Sequence, residues 1–330
     1  MNRRLEWIDL AKGVGIILVV IGHAGRGLES AGIAGGNDAI VVMDRLIYAF
    51  HMPLFFLLAG VTFGMRPPAD LGTALTARLW PLLYTMMVWT YAFLAIRALA
   101  GDRANAGKAW DDLLVWPLPP YEHMWFLWAL ILNIAVFTLL RGMLAPRLGD
   151  VRFWAAALVA TGAAGLVLVM PDSAAPFFAP ALAYGLPFTL GALIGAAPIR
   201  SAPMPGTLAL VAVLVFAAGV WAVATHGALL SPVASGSVLS LLLLPALIFL
   251  SKRLAGGPSV RCLAYLGRIS LAIFVTHTIF SAATRVLLMA AGIEDVALHL
   301  ILGVAAGLLG PLALYLAAAR FGLLRVAALG

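Results

Sequence analysis

Long stretches without a charged side chain constrain this chain more than any other feature of its sequence. Residues 201–251 contain no Asp, Glu, Lys or Arg, and residues 173–199 form a second uncharged run. Each run is long enough for one or two membrane crossings, at about 20 residues per helix. Hydrophobic residues make up 63% of the chain and charged residues 11%, against roughly half and about a quarter in soluble domains. The sequence therefore predicts an all-α, polytopic membrane protein.

Hydropathy predicts one integral-membrane domain over residues 1–330, a bundle of about ten transmembrane helices. The predicted spans lie near 8–25, 40–64, 78–100, 122–141, 152–171, 177–196, 206–225, 234–250, 263–281 and 296–318. Most of the 21 Lys and Arg residues then fall on one side. The positive-inside rule predicts a bacterial inner-membrane protein with cytoplasmic termini, an uncleaved first helix and an outer loop at 100–121. This bias explains the net charge of +7 without a nucleic-acid partner.

The first span carries Asp9, Lys12 and His23. Charged groups at membrane depth are costly and usually mark a functional site. Lys12 and His23 are separated by eleven positions, so they return to nearly the same helical face about 16 Å apart along the axis. Asp9 precedes Lys12 by three residues and can pair with it. The simpler alternatives are an interfacial anchor for Lys12 and a structural role for His23.

The second span also aligns polar groups on one helical face. Asp44, Tyr48 and His51 occupy positions i, i+4 and i+7. Pro53 lacks an N–H and is predicted to kink the helix, leaving a carbonyl near Ala49 free. The span therefore predicts a polar pocket beside His51, and the simpler alternative is that His51 only satisfies this carbonyl.

Three further residues open the fourth span, where Glu122 and His123 precede Trp125. Aromatic residues are common at a membrane interface, so Glu122 and His123 are the more informative pair. His226 and His299 lie near outer span ends, and we expect both to be wetted end residues.

The ninth span repeats the pattern, with Ser270 and His277 on one face and Arg268 at the predicted cytoplasmic start.

Cys262 is the single cysteine, which excludes an internal disulfide and a multi-cysteine metal site. The chain has no phosphate-binding loop, no G-x-G-x-x-G pattern and no H-E-x-x-H pattern. Any chemistry is therefore predicted to come from intramembrane polar groups.

Four motifs resemble the acyltransferase 3 family of integral-membrane acyltransferases, in its branch of sugar O-acetylases. They are the basic residue and histidine of the first span, residues 50–56 with Ala59 and Gly60, residues 125–127, and residues 266–270 leading to His277. They occur in the family's order and cover most of the chain. The best-known family pattern has arginine where this chain has Lys12.

The resemblance implies that the protein moves an acyl group, usually acetyl, from cytoplasmic acetyl-CoA to a hydroxyl of a cell-envelope glycan or lipid-linked sugar. Acetyl-CoA would be a co-substrate, with no tightly bound cofactor and no metal. We expect Lys12, Asp9 and Arg268 to bind the donor. We expect His23, with Lys12, to be catalytic, either as general base or as transient acyl carrier. The expected acceptor or pathway residues are Arg45, Tyr48, His51, Glu122, His123, Trp125, Ser270 and His277.

Two other classes fit the same sequence. About ten spans with intramembrane Asp, Lys and His also describe a proton-coupled secondary transporter or exporter. The lack of an evident inverted repeat and the clustering of histidines toward one mouth argue against a transporter. A structural or sensory membrane protein is the third alternative, and the polar residues on aligned faces argue against it.

Overall fold

The computed structural model describes residues 6–100, 122–167, 177–197, 205–227, 232–254 and 257–330. These ranges form helices and contain no β-strand, which confirms the all-α class. Eight helical stretches in them are long and apolar enough to cross a membrane, in agreement with a polytopic bundle. They are Glu6–Ser30, Asp38–Met65, Leu71–Leu99, Glu122–Leu148, Gly206–His226, Pro232–Arg253, Ser270–Ala290 and Val296–Arg320. Residues 101–121 of the predicted outer loop lie outside the described ranges.

The described helices follow one another along the chain. They are α1 (Glu6–Ser30), α2 (Asp38–Tyr48), α3 (His51–Met65), α4 (Leu71–Ala74), α5 (Trp80–Ala100), α6 (Trp125–Leu148), α7 (Asp150–Val167), α8 (Ala179–Ala183), α9 (Gly185–Ala196), α10 (Gly206–His226), α11 (Pro232–Arg253), α12 (Pro258–Arg268), α13 (Ser270–Ala290) and α14 (Val296–Arg320). A π-helical segment, Leu75–Leu79, joins α4 to α5, and a 3-10 turn, Glu122–Met124, precedes α6. The predicted spans at 152–171 and 177–196 correspond to α7 and to α8 with α9.

The predicted second span is interrupted rather than merely kinked. Helix α2 ends at Tyr48 and α3 begins at His51, with Phe50 at φ −147° and ψ −19° between them. Pro53 therefore lies in the first turn of α3, where its missing N–H costs no helical hydrogen bond. The Phe50 carbonyl accepts a hydrogen bond from Ser240 Oγ of α11 at 3.1 Å. The break places His51 at the start of a helix.

The predicted ninth span, 263–281, is wrong in its bounds. Helix α12 ends at Arg268, and the membrane-spanning helix α13 runs from Ser270 to Ala290. Helix α12 is amphipathic, because Val260 and Ala264 are buried while Arg268 is exposed. An amphipathic helix with an exposed cationic face is typical of a membrane interface. Hydropathy alone merged this helix with the start of the span.

Helix α1 occupies a central position, packed against α12, α13 and α14. Its contact with α12 is backbone to backbone: a β-carbon at Gly13 would meet the Leu263 carbonyl, and one at Gly267 would meet the Asp9 carbonyl. Small residues permit such close approach between membrane helices. This packing fixes the Lys12 end of the bundle, where α13 also begins. The opposite end of α1, which carries His23, is the His23 end.

Candidate active site

Three histidines from separate parts of the chain meet at the His23 end. The ring centroids of His23 and His277 are 5.0 Å apart, and that of His123 lies 5.9 Å from His23 and 5.6 Å from His277. All three pairs are edge to face. His123 and His277 are buried, and His23 is half-buried. The fold thus joins the first, fourth and ninth predicted spans in one cluster, called the histidine cluster.

Backbone carbonyls determine which ring nitrogens carry protons. His23 Nδ1 lies 3.0 Å from the Val19 carbonyl, and His277 Nδ1 lies 2.8 Å from the Phe274 carbonyl. A carbonyl only accepts hydrogen bonds, so each Nδ1 must donate. In the neutral ring, Nε2 then holds the lone pair. His23 and His277 each therefore present a basic nitrogen away from their own helices.

Several nitrogens of the cluster are buried without a hydrogen-bond partner among the described residues. They are Nε2 of His277 and both ring nitrogens of His123. Buried polar atoms in proteins are nearly always paired, so unpaired ones in one cluster indicate a place for a polar ligand. In the described part of the chain, no set of three His, Cys, Asp or Glu groups could hold a metal ion. The expected absence of a bound metal stays a prediction.

A strained turn holds His123 inside the bundle. Glu122, the residue before it, has φ +41°, a region that non-glycine residues rarely adopt. Glu122 Oε1 lies 3.5 Å from Arg97 Nη1. The His123 ring lies 5.7 Å from Phe93 and 5.3 Å from Phe274, between centroids. His123 is therefore an interior residue, and its predicted contact with an acceptor stays a prediction.

Trp125 also packs inward, against other aromatic rings. Its ring is tilted against Tyr184 at 5.2 Å and stacked at 6.4 Å on Phe56. Tyr184 and Phe56 are stacked on each other at 4.6 Å. Trp125 is half-buried in this aromatic group, so one part of the ring remains open. The break between α8 and α9 at Tyr184 places that ring in the group.

Tyr48 and His51 contact each other as their spacing predicts, at 4.4 Å between ring centroids. His51 Nδ1 bonds to the Ile47 carbonyl at 2.9 Å, and not to a carbonyl near Ala49.

Arg26 was not predicted. Its guanidinium lies 3.2 Å from the Tyr48 ring centroid and binds both carboxylate oxygens of Asp44, at 2.8 and 3.1 Å. Arg26 follows His23 by one helical turn, and this spacing could have indicated that it belongs to the site.

A cavity of about 390 Å³ extends from the Lys12 end toward the histidine cluster. Two cationic side chains line it, Lys12 and Arg78, together with Ser270. The remaining lining residues are Met52, Phe55, Ala59, Thr62, Ala77, Pro81, Leu82, Phe126, Leu127, Leu130, Ile134, Leu271 and Phe274. This volume is in the range of small-molecule sites, which are typically apolar with a few polar groups.

The cavity ends next to the histidine cluster. Phe126 and Phe274 line it, their centroids are 5.3 Å apart, and Phe274 packs on His123. Along α3 the lining runs from Met52 to Thr62, ten residues or about 15 Å. The cavity therefore extends from the cationic groups to Phe274, which packs against His123 and His277.

Arg78 lines the cavity and was not predicted as a site residue. It belongs to the π-helical segment Leu75–Leu79, and such segments are frequent at functional sites. Its guanidinium donates to the Arg66 carbonyl and lies 5.3 Å from the Phe63 ring centroid. A π-helical segment has no simple sequence signal, so this position could not be distinguished from other arginines at span ends.

Some predicted residues lie apart from this site. Arg45 and Arg268 are exposed, at the ends of α2 and α12, and Asp9 is buried where α1 meets α12. His226 is exposed, as expected. His299 was expected to be wetted, but it is 1% exposed and its Nε2 lies 2.8 Å from the Ile293 carbonyl. The turn after α13 folds over this ring, which hydropathy could not indicate.

The fold and the site define a multi-pass membrane protein with a cavity that is lined by two cationic side chains and ends beside a cluster of three histidines. Residues 5–316 match the acyltransferase domain of the acyltransferase 3 family, and the chain belongs to this family. The resemblance based on the four motifs is confirmed.

The chain is similar to nodulation protein NolL of Mesorhizobium japonicum, with 29% identity over 142 residues. This match covers 42% of the chain and 36% of NolL, so the chain spans little more than a third of the relative's length. No solved structure matches the chain.

Proposed function

We propose that this acyltransferase transfers an acyl group, acetyl in the simplest case, from cytoplasmic acyl-CoA to a hydroxyl of a cell-envelope glycan or lipid-linked sugar. One observation carries the proposal. The cavity that contains Lys12 and Arg78 ends at Phe126 and Phe274, against the histidine cluster. A donor-binding region and a set of neutral bases are therefore adjacent inside the bundle.

The cavity matches the chemistry of an acyl-CoA. Its phosphates would bind Lys12 and Arg78, because charge-assisted hydrogen bonds to phosphate are strong. The uncharged pantetheine arm would extend along the apolar wall of α3, with the thioester beside Phe274. Asp9 and Arg268 would act at the mouth, Asp9 by holding α1 on α12 and Arg268 by attracting the donor. The basic inner side and the cytoplasmic termini remain part of this proposal.

His23 would act on the acceptor hydroxyl. Its Nε2 takes the hydroxyl proton while the hydroxyl oxygen attacks the thioester carbonyl carbon. The tetrahedral intermediate then breaks its carbon–sulfur bond, and the CoA thiolate takes the proton from the His23 imidazolium. In the alternative two-step route, His23 Nε2 attacks the thioester carbon and the CoA thiolate leaves. The acceptor hydroxyl oxygen then attacks the acyl carbon, the bond to Nε2 breaks, and the thiolate takes the hydroxyl proton. The bond from Nδ1 to Val19 orients the ring for either route.

The other residues of the cluster would support this step. His123 carries an N–H that has no partner within the described ranges and would donate to the oxyanion of the intermediate. His277 would position His23, and Ser270 would contact the donor in the cavity. Tyr48, His51, Glu122 and Trp125 would line the acceptor's route, whereas Arg45 would meet it only at the surface. Membership of an acyltransferase family favours transfer over the transporter alternative.

Labelled acetyl-CoA tests the proposal directly. Inside-out membrane vesicles that contain the protein should incorporate acetyl label into a glycan or lipid-linked sugar fraction. Vesicles with the His23→Ala variant should not. Uptake or export of a sugar without incorporated label would instead support a carrier and overturn the proposed reaction.

A further inference from the structure

Arg285 is an intramembrane cation that the reaction described above does not use. It lies in α13, eight residues after His277, and its side chain is half-buried. A β-carbon at Gly27 of α1 would meet Arg285 Nη1, so the glycine makes room for the guanidinium. Ionisable residues within a membrane span are costly and usually serve a function.

Two carboxylates beside the cluster, those of Asp44 and Glu122, already lie next to other arginines. Arg26 pairs with Asp44, and Arg97 lies 3.5 Å from Glu122. In the described ranges no carboxylate forms an ion pair with Arg285, and its Nε is buried without a hydrogen-bond partner. The acidic residues Glu29, Glu294 and Asp295 at the same end are exposed. At the His23 end, Arg285 is therefore a half-buried cation that no described acidic side chain neutralises.

The position of Arg285 relates it to the proposed base. Gly27, which its guanidinium faces, follows His23 by four residues on α1, about 6 Å along the helix axis. That separation is about one sugar ring. A guanidinium binds carboxylate and phosphate groups in preference to neutral hydroxyls, because it presents several N–H donors and a permanent charge.

We propose that Arg285 binds an anionic group of the acceptor, so that the acceptor is an acidic sugar bearing a phosphate or carboxylate. The group lies on the acylated sugar or on the unit bonded directly to it. This inference rests on the proposed function. Arg285 is a substrate-binding residue here, and His23 remains the base.

Binding measurements test the site without acyl transfer. The full-length protein in phosphatidylcholine nanodiscs is titrated calorimetrically with glucose 6-phosphate, glucose and inorganic phosphate. We expect glucose 6-phosphate to bind at least about tenfold more tightly than either of the others, and Arg285→Gln to remove this difference. Arg285→Lys should keep part of it. Arg320→Gln, which removes an exposed arginine at the far end of α14, should leave it unchanged.

Three results would overturn the proposal. Equal binding of glucose and glucose 6-phosphate by the wild type would show that no anion is recognised. Equal binding of inorganic phosphate and glucose 6-phosphate would show an anion site without a sugar. Loss of glucose 6-phosphate binding in phosphatidylglycerol nanodiscs would assign Arg285 to a lipid headgroup. If transfer of labelled acetyl fails but Arg285-dependent binding persists, the site stands and the proposed reaction falls.

Discussion

Replacement of His23 by alanine is the most direct test of the proposed chemistry. The variant removes the Nε2 that would take the acceptor proton. A general base contributes about 10²- to 10⁴-fold to a rate, which corresponds to about 2.7–5.4 kcal/mol of transition-state stabilisation. If His23 carries the acyl group covalently, the loss should be larger. We therefore expect acyl transfer to fall at least a hundredfold.

The structure also predicts that His23→Ala remains folded. His23 is half-buried, and its Nδ1 bonds to a carbonyl that already lies within α1. Removal of the ring therefore leaves no orphaned backbone group, because the Val19 carbonyl keeps its helical partner. The cost should fall at the low end of the 0.5–3 kcal/mol that is usual for single substitutions, about 1 kcal/mol.

The assay compares label transferred from acetyl-CoA at equal amounts of membrane-inserted protein. His226→Ala is the matched control, since His226 is exposed at the end of α10 and outside the site. His299 is unsuitable for this purpose because it is buried. Near-normal transfer by His23→Ala at equal protein level would refute the reasoning, and His277 or His51 would become the next candidate.

Three further predictions concern the donor, the packing and the topology. Lys12→Gln and Arg78→Gln should each raise the KM for acetyl-CoA by about tenfold or more in steady-state assays, because each removes a charge-assisted contact. Both variants should insert into the membrane normally. Unchanged KM values would make both residues interfacial anchors. Gly267→Val should lower the membrane abundance in immunoblots, since its side chain would collide with the backbone of α1. Gly142→Val, at a site with open space, should cost far less, and equal abundance of the two would contradict the packing argument. Reporter fusions should place the C-terminus in the cytoplasm and the 100–121 loop outside; cytoplasmic labelling of that loop would reverse the proposed orientation.

The sequence by itself determined the class of fold and most of the residues that meet at the site. A composition of 63% hydrophobic residues leaves no alternative to a membrane bundle, because such a chain cannot cover its surface with polar groups. The cost of burying charge also identifies His23, Lys12 and His277 as candidates, since helical period alone places each on an aligned face.

Only the tertiary structure decided which candidates share one site. His123 and Trp125 are neighbours in sequence at a predicted interface, yet the turn at Glu122 directs His123 into the histidine cluster. Arg78 and Arg268 are equivalent by hydropathy, but the first lines the cavity and the second is exposed at the end of α12. Helical period reports the face of one helix and not the helix that it meets. The contacts depend on close backbone approach at small residues and on breaks at helix ends, and these arise only when the helices pack.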